Sequence, residues 1–283
     1  QARQGDMMNI DSLKGLSMDG KVAVITGSTQ GLGEAIAHLF VERGCSGIVV
    51  VGRNAERGAK VKAALEAKGA KAAFIKADLT QFADMKCVIP ACDKAFGKID
   101  VLVNAAALTD RGTIWDTSEA RYDEIMDANV KAPFFLMQDA LKLMRKTKVS
   151  GAIVNILSMS GHGGQDFLTA YCTSKGALAV LTRNVAASVV SYRIRVNGLN
   201  IGWMDTPGED RIMKTYHDAK PGWLAEAEAG RPFGRLLKPE EVARACAYLC
   251  SEESGLMTGS IIDFDQQVHG AHNGTVPPPP AEW

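Results

Sequence analysis

Short apolar runs alternate with longer stretches of helical periodicity from Lys21 to about Gly270. Val22 to Thr26 reads as a strand ending at a glycine turn, and Leu32 to Arg43 as a helix closed by Gly44. The unit recurs: a strand at Gly47 to Val51 with a helix at Ala55 to Lys68, then a strand at Ala72 to Ala77 with a helix at Ala83 to Phe96, and a strand at Ile99 to Val103. These strands are apolar at nearly every position instead of every second one, which marks a sheet covered on both faces. Parallel strands require crossovers of this length. The pattern therefore predicts an α/β fold, one doubly wound domain with a parallel sheet flanked by helices.

The second half keeps the rhythm. Helical segments cover about Ser118 to Lys146, with an interruption near Pro133, whose ring disfavours the helical turn before it. A strand at Ala152 to Leu157, a helix at Tyr171 to Ser188 and a strand at Ile194 to Leu199 follow. Residues 203–235 contain Pro207, Gly208, Pro221, Gly222, Pro232 and Gly234. That stretch is too long for a simple connector and is read as a lid over a binding site. Pro239 starts a last helix to about Cys250, and Ser260 to Phe264 is the last strand. No linker divides residues 21–270. Residues 1–20 read as an N-terminal leader, and 271–283, with four consecutive prolines, as an extended tail. The chain opens on Gln1, so the alternatives are a processed start and a native one at Met7 or Met8.

Composition narrows the function classes. Lys and Arg total 32, as do Asp and Glu, and the formal net charge is zero. A uniformly basic nucleic-acid binder is thereby disfavoured, so no nucleic-acid partner is expected. No apolar run reaches transmembrane length, so no membrane partner is expected either. The six cysteines contain no CxxC pair and read as core thiols in a reducing compartment, which places the protein in the cytoplasm.

Thr26-Gly-Ser-Thr-Gln-Gly-Leu-Gly33 joins the first strand to the first helix. Gly27, Gly31 and Gly33 permit a tight turn and bring backbone N–H groups close to a pyrophosphate, with Thr29, Gln30 and Leu32 lining the same loop. At the end of the second strand, Gly52 stands where an acidic residue would bind the ribose 2′-hydroxyl of NAD. Arg53, followed by Asn54, offers a fixed charge to a 2′-phosphate instead. NADP is therefore the expected cofactor, with NAD possible, since Gln30 adds no second cation. Asp78-Leu79 ends the third strand at the same edge, where the carboxylate either accepts from an adenine amino group or caps the next helix.

Tyr171 and Lys175 stand four apart, on one face of a helix. A neighbouring ammonium favours phenolate, so Lys175 is expected to lower the Tyr171 pKa from about 10 and fit it for proton transfer to a substrate oxygen. Ser158 lies just after the fifth strand, where its hydroxyl can hold that oxygen, and Asn129 lies beside the Pro133 interruption.

With Gly27, Gly31, Gly33, Asp78, Asn104, Asn129, Ser158, Tyr171 and Lys175 in this order, nearly the whole chain resembles the short-chain dehydrogenase/reductase family. The resemblance implies a Rossmann-type domain with a seven-stranded sheet and an NAD(P)-dependent oxidoreductase with an Asn129–Ser158–Tyr171–Lys175 tetrad. It further implies Tyr171 as acid/base, Ser158 positioning the oxygen, Lys175 on the nicotinamide ribose, and Asn129 holding a water that links Lys175 to solvent. Asn104, Ala105 and Ala106 fall at the cofactor, as do Gly202, Met204 and Thr206. Two departures stand out: Asn104-Ala-Ala-Ala107 in place of Asn-Asn-Ala-Gly, and Ile201-Gly202 in place of Pro-Gly. Family members are commonly tetramers, so a homotetramer is expected, with Val242, Ala245, Leu249, Ile261 and Phe264 at the subunit contact or in the core.

The substrate is expected to be a small molecule, touching Ser158, His162, Gln165 and Trp203. Thr109, Asp110, Arg111 and Asp166 add polar groups nearby, which favours a polar alcohol or carbonyl such as a sugar or polyol. The alternatives are an apolar ketone or acyl carbonyl, a nucleotide-sugar epimerase or dehydratase, and a non-catalytic nucleotide-binding regulator. His162 has no partner at metal-ligand spacing, and no metal is expected.

Overall fold

The computed structural model describes residues 16–269. The expected leader (through residue 15) and proline-rich tail (from residue 270) lie outside the described residues. The folded body begins before Lys21, however. Met18 is fully buried, and its N–H donates to the Arg43 carbonyl at 2.8 Å.

Seven parallel strands form one sheet in the order β3-β2-β1-β4-β5-β6-β7. They are β1 (Val22–Thr26), β2 (Gly47–Gly52), β3 (Lys71–Lys76), β4 (Val101–Asn104), β5 (Ala152–Ser158), β6 (Arg195–Ile201) and β7 (Ile261–Phe264). The helices are α1 (Gly31–Glu42), α2 (Ala55–Ala67), α3 (Phe82–Phe96), α4 (Glu119–Met126), α5 (Ala132–Thr147), α6 (Thr169–Val189), α7 (Pro207–Tyr216), α8 (Trp223–Ala229) and α9 (Pro239–Cys250).

The unbroken apolar strands have the expected cause. Ala23 and Ile25 of β1 and Ile48 and Val50 of β2 pack against Ile36 and Phe40 of α1, Leu65 of α2 and Cys246 of α9. Their neighbours Val22, Val24, Val49 and Val51 face the other way, onto Val88 and Cys92 of α3 and Leu136 and Met144 of α5. Burying one such Val or Ile contributes about 1.5–3 kcal/mol, so neither face can be polar. Val242 and Leu249 of α9 are also fully buried in this core. At these two positions the core alternative holds; Ala245, Ile261 and Phe264 remain partly exposed.

Strand order reverses between β1 and β4, where β1 pairs Thr26 with Asn104. A crevice opens at the carboxyl ends of strands at such a point. The interruption near Pro133 takes a specific form: a π-helical turn at Asp127–Lys131, with Pro133 in the first turn of α5, where its missing N–H costs little.

Candidate active site

A cavity of about 920 Å³ runs along the carboxyl edge of the sheet. At one end the wall is mostly backbone. Gly27 has φ of 68°, and a Cβ there would lie 2.8 Å from the Ala106 Cα. A Cβ on Gly33 would lie 2.5 Å from the Gly27 carbonyl oxygen. The turn is thus pressed between α1 and the β4 exit. Thr26 Oγ1 fixes that exit by accepting from the Ala105 and Ala106 N–H groups at 3.0 and 3.1 Å. Gln30 caps α1 without a side-chain hydrogen bond, leaving the first-turn N–H groups facing the cavity.

Farther along, Gly52, Arg53, Asn54, Asp78 and Leu79 form the wall beyond β2 and β3. A Cβ on Gly52 would meet the Thr29 side chain at 2.7 Å, so packing as well as charge accounts for the missing carboxylate. The Arg53 guanidinium lies 3.9 Å from Asp78. Asp78 is otherwise committed to Thr80, accepting from its N–H and hydroxyl at 3.0 and 2.9 Å. Asn54 accepts from Arg57 N–H at 2.8 Å and so caps α2.

At the other end Ser158, Tyr171 and Lys175 meet. Ser158 ends β5, and its side chain acts on the Tyr171 phenol, drawing its pKa down. Lys175 follows Tyr171 by one turn of α6, and its Nζ donates to the Ile156 carbonyl at 2.8 Å, 5.6 Å from the Tyr171 ring centre. The electrostatics differ from the sequence expectation. Burial pushes the phenol up to about 12, against the pull of Ser158, with Glu209 raising it further and Arg111 opposing. Burial also pushes the Lys175 ammonium down to about 8. The Lys175 ammonium is held on the Ile156 carbonyl, and burial outweighs the neighbours that lower the phenol. The site holds the phenol protonated at neutral pH.

A family model described as enoyl-(acyl carrier protein) reductase matches residues 27–269. Galactitol 2-dehydrogenase of Agrobacterium fabrum is 31% identical over 88% of the chain and 98% of its own length. The 3β-hydroxysteroid dehydrogenase of Mediterraneibacter gnavus is 34% identical over 87% of the chain and 94% of its own length. A short-chain type dehydrogenase/reductase from Mycobacterium marinum superposes with a TM-score of 0.81 at 30% identity, covering 90% of this chain and 97% of that one. The chain belongs to the short-chain dehydrogenase/reductase family. It is an enzyme of the oxidoreductase class, in a family whose members bind NAD(P).

Within this dehydrogenase/reductase, Gly27, Thr29, Gln30, Gly31, Leu32, Gly33, Ala105, Ala106, Gly202, Met204 and Thr206 line the same cavity as Ser158, His162, Gln165, Trp203, Tyr171 and Lys175. Two expected residues do not line it. Asn104 is buried in β4 and turns its amide to Asn155 Oδ1 at 2.8 Å. Asn129 has its side chain spent on Leu108, accepting from its N–H at 2.8 Å and donating to its carbonyl at 2.9 Å, and on Ser174 at 3.0 Å. These contacts let it position the stretch after β4.

His162 is held by Asp263 at 3.0 Å and Asn200 at 3.2 Å and stacks on His269. Asp110 pairs with Arg121, and Asp166 lies outside the cavity wall, while Arg111 lies in it. The cofactor end also holds Arg57, whose Nη1 hydrogen-bonds Gln30 Oε1. Its spacing was a readable signal, since the third residue after a helix cap at Asn54 faces the carboxyl edge. Glu209 and Arg231 also join the wall, and nothing local in the sequence marks them. Among the described residues there is no group of acidic, histidine and cysteine side chains suited to a metal ion, no disulfide, and no helix long and apolar enough to cross a membrane.

Proposed function

We propose that the protein transfers a hydride between NADP and a small polar alcohol or carbonyl compound, with Tyr171 as the proton-transfer group. The observation that carries this reading is the Ser158–Tyr171–Lys175 cluster at one end of a cavity whose other end is a glycine turn and an uncapped helix N-terminus. The residues fit a dinucleotide. Side chains at Gly27 and Gly33 would fill the cradle, and the α1 N–H groups can receive a pyrophosphate. A bound nicotinamide supplies or accepts the hydride.

Tyr171 holds a proton on its phenol oxygen. A phenol near 12 is still far more acidic than the alcohol that forms, so it can donate to a substrate carbonyl oxygen as negative charge develops there. The Ser158 hydroxyl holds that oxygen in place. Lys175 is assigned to the nicotinamide ribose hydroxyls and Asn129 to support of the Leu108 backbone. Arg53 is assigned to a 2′-phosphate, which sets NADP ahead of NAD.

The relatives act on substrates as unlike as galactitol and a steroid, by their names. The substrate reading therefore rests on this chain's own walls, where Thr109, Arg111, His162, Gln165 and Glu209 are polar and partly buried or near the surface. A wall with this many polar side chains favours a substrate carrying hydroxyl or carbonyl groups over an apolar ring. A homotetramer and a cytoplasmic location complete the proposal, the first checked by light scattering. The activity is checked by a panel of alcohols, polyols, aldoses and ketones with each cofactor, followed at the reduced nicotinamide absorbance. Turnover of polar substrates with NADPH or NADP⁺ is the expected result. Turnover confined to steroids or acyl carbonyls would replace the substrate class.

A further inference from the structure

The geometry points to a carboxylate on the substrate, received by Arg231 on the face of Trp203. This inference rests on the reading of Ser158 and Tyr171 as the reaction centre, and it narrows the polar substrate to a hydroxy acid or its keto form.

Arg231 follows α8, and its guanidinium carbon lies 4.7 Å from the Trp203 ring centre. Both residues line the cavity. Trp203 is itself fixed: its Nε1 donates to Glu209 at 2.8 Å, and Trp223 stacks on it with an interplanar angle of 28°. A guanidinium lying over an indole has one face covered, so its N–H donors point outward in the plane, as a two-oxygen acceptor requires.

Those donors lack an acidic partner within the described residues. The Arg231 Nε is buried and has no hydrogen-bond acceptor. Glu228, three residues earlier, is taken by Lys238 at 3.1 Å and by the Leu236 N–H at 3.1 Å. Glu209 serves Trp203 and Arg111, with the Arg111 Nη2 at 3.8 Å. No ion pair among the described residues involves Arg231, and Asp265, the remaining acid of this wall, packs against Gly202. Arg231 is partly buried, its Nε lacks an acceptor, and no hydrogen bond or ion pair among the described residues uses its other side-chain nitrogens, so the guanidinium has donors left for an anion.

Arg111 is the competing cation, and its surroundings argue against it as receptor. Its Nε donates to His217 at 2.8 Å, its Nη1 donates to the Thr109 carbonyl at 3.0 Å, and Glu209 already balances its charge. Arg111 is built into the wall, whereas Arg231 presents open donors. A substrate whose oxygen lies at Tyr171 and whose other end carries a carboxylate meets both requirements of the cavity.

The test uses NADP⁺-saturated protein and follows tryptophan emission, because Trp203 lies under the proposed receptor. Probes are titrated in matched pairs, D-gluconate with D-glucitol and 4-hydroxycyclohexanecarboxylate with its amide. The acids are expected to give saturable changes and to bind at least tenfold more tightly than their neutral partners. Arg231→Met should weaken acid binding roughly 10- to 100-fold, the loss expected for a charge-assisted hydrogen-bond pair. It should leave the neutral partners and NADPH affinity unchanged. Arg231→Lys, which keeps the charge without the fork, should recover part of the loss. Thermal melting confirms that both variants fold.

Three binding results would overturn the inference: acids binding no better than their neutral partners, unchanged acid affinity in Arg231→Met, or an equal loss of NADPH affinity, which would assign Arg231 to the cofactor. Turnover of the same pairs keeps the two readings apart. Acids that bind through Arg231 and are turned over equally well by Tyr171→Phe would sink the reaction-centre reading alone. Turnover of neutral polyols alone would sink the carboxylate alone.

Discussion

The two ends of the cavity are built from different materials. The dinucleotide end is mostly backbone: the Gly27 turn, the first N–H groups of α1, and the Ala105–Ala106 amides held by Thr26. The substrate end is mostly side chains, drawn from β5, α6, α7, Arg231 beyond α8 and the segment after β7. A backbone cradle depends on local φ and on helix termini, so neighbouring residues specify it. A side-chain wall exists only after distant segments pack. The first can stay constant while the second changes its ligand, in keeping with relatives named for a polyol and a steroid.

The largest expected effect lies at the side-chain end. Tyr171→Phe removes the proton and leaves the ring in its packing. We expect kcat to fall by roughly 10²–10⁴-fold, with NADPH affinity and melting temperature close to those of the parent. Stopped-flow or steady-state assays on the best substrate of the panel measure it. Near-parental turnover would mean that another group transfers the proton, and the contrast between a chemical end and a binding end would fail.

Lys175 sharpens the contrast in a different quantity. Its ammonium is buried against a neutral carbonyl and titrates near 8, below its ordinary value of 10.5. Below about pH 8 the amine is charged in both folded and unfolded chains, and folding bears the full cost of burying it. Between 8 and 10.5 the unfolded chain binds more protons, so stability rises with pH. Lys175→Met abolishes this dependence. The parent should therefore gain on the variant by about 3 kcal/mol as pH rises from 7 to 10.5, most of it by pH 10. Denaturant unfolding across that range checks the sign. A parallel pH dependence in the two proteins would show that the amine is not strained by burial. No comparable cost is expected at the glycine turn, where no charge is buried.

The same division explains what was legible in the sequence. The strands, the crossover helices and the glycine turn follow from hydrophobic period and turn chemistry, and their limits fall within a few residues of those expected. Met18 escaped because a single buried methionine before the first strand carries no period. Asn104 and Asn129 were placed at the site by family order alone, and the structure commits their side chains to Asn155, Leu108 and Ser174. The Tyr171–Lys175 spacing correctly predicted one helical face but not the electrostatics. Proximity was legible; the Ile156 carbonyl that accepts a hydrogen bond from the lysine was not. Arg231 had no signal at all, because its meeting with Trp203 depends on how the chain after β6 folds back.

The smallest expected effect lies at the outer rim of the dinucleotide end, where the wall changes from backbone to side chain. Arg53 is 61% exposed and stands 3.9 Å from Asp78, so solvent and a carboxylate both weaken what its charge can do. Arg57 approaches the same rim from the first turn of α2, with one nitrogen tied to Gln30. In the proposed NADP reading both guanidinium groups would meet the 2′-phosphate. Arg53→Ala should weaken NADPH by about tenfold, near the low end for a charge-assisted hydrogen bond, and Arg57→Ala by roughly threefold, as for an exposed charge. NADH, without the phosphate, should be nearly indifferent to either change. The double variant should lose less than the product of the two, since both charges act on one group. Titrating both cofactors at low salt and again at roughly 0.5 M, where screening shrinks exposed contributions, separates charge from packing. Equal losses for NADH and NADPH would show that this rim supports the adenosine through shape instead, and the backbone character of the dinucleotide end would then extend to its edge.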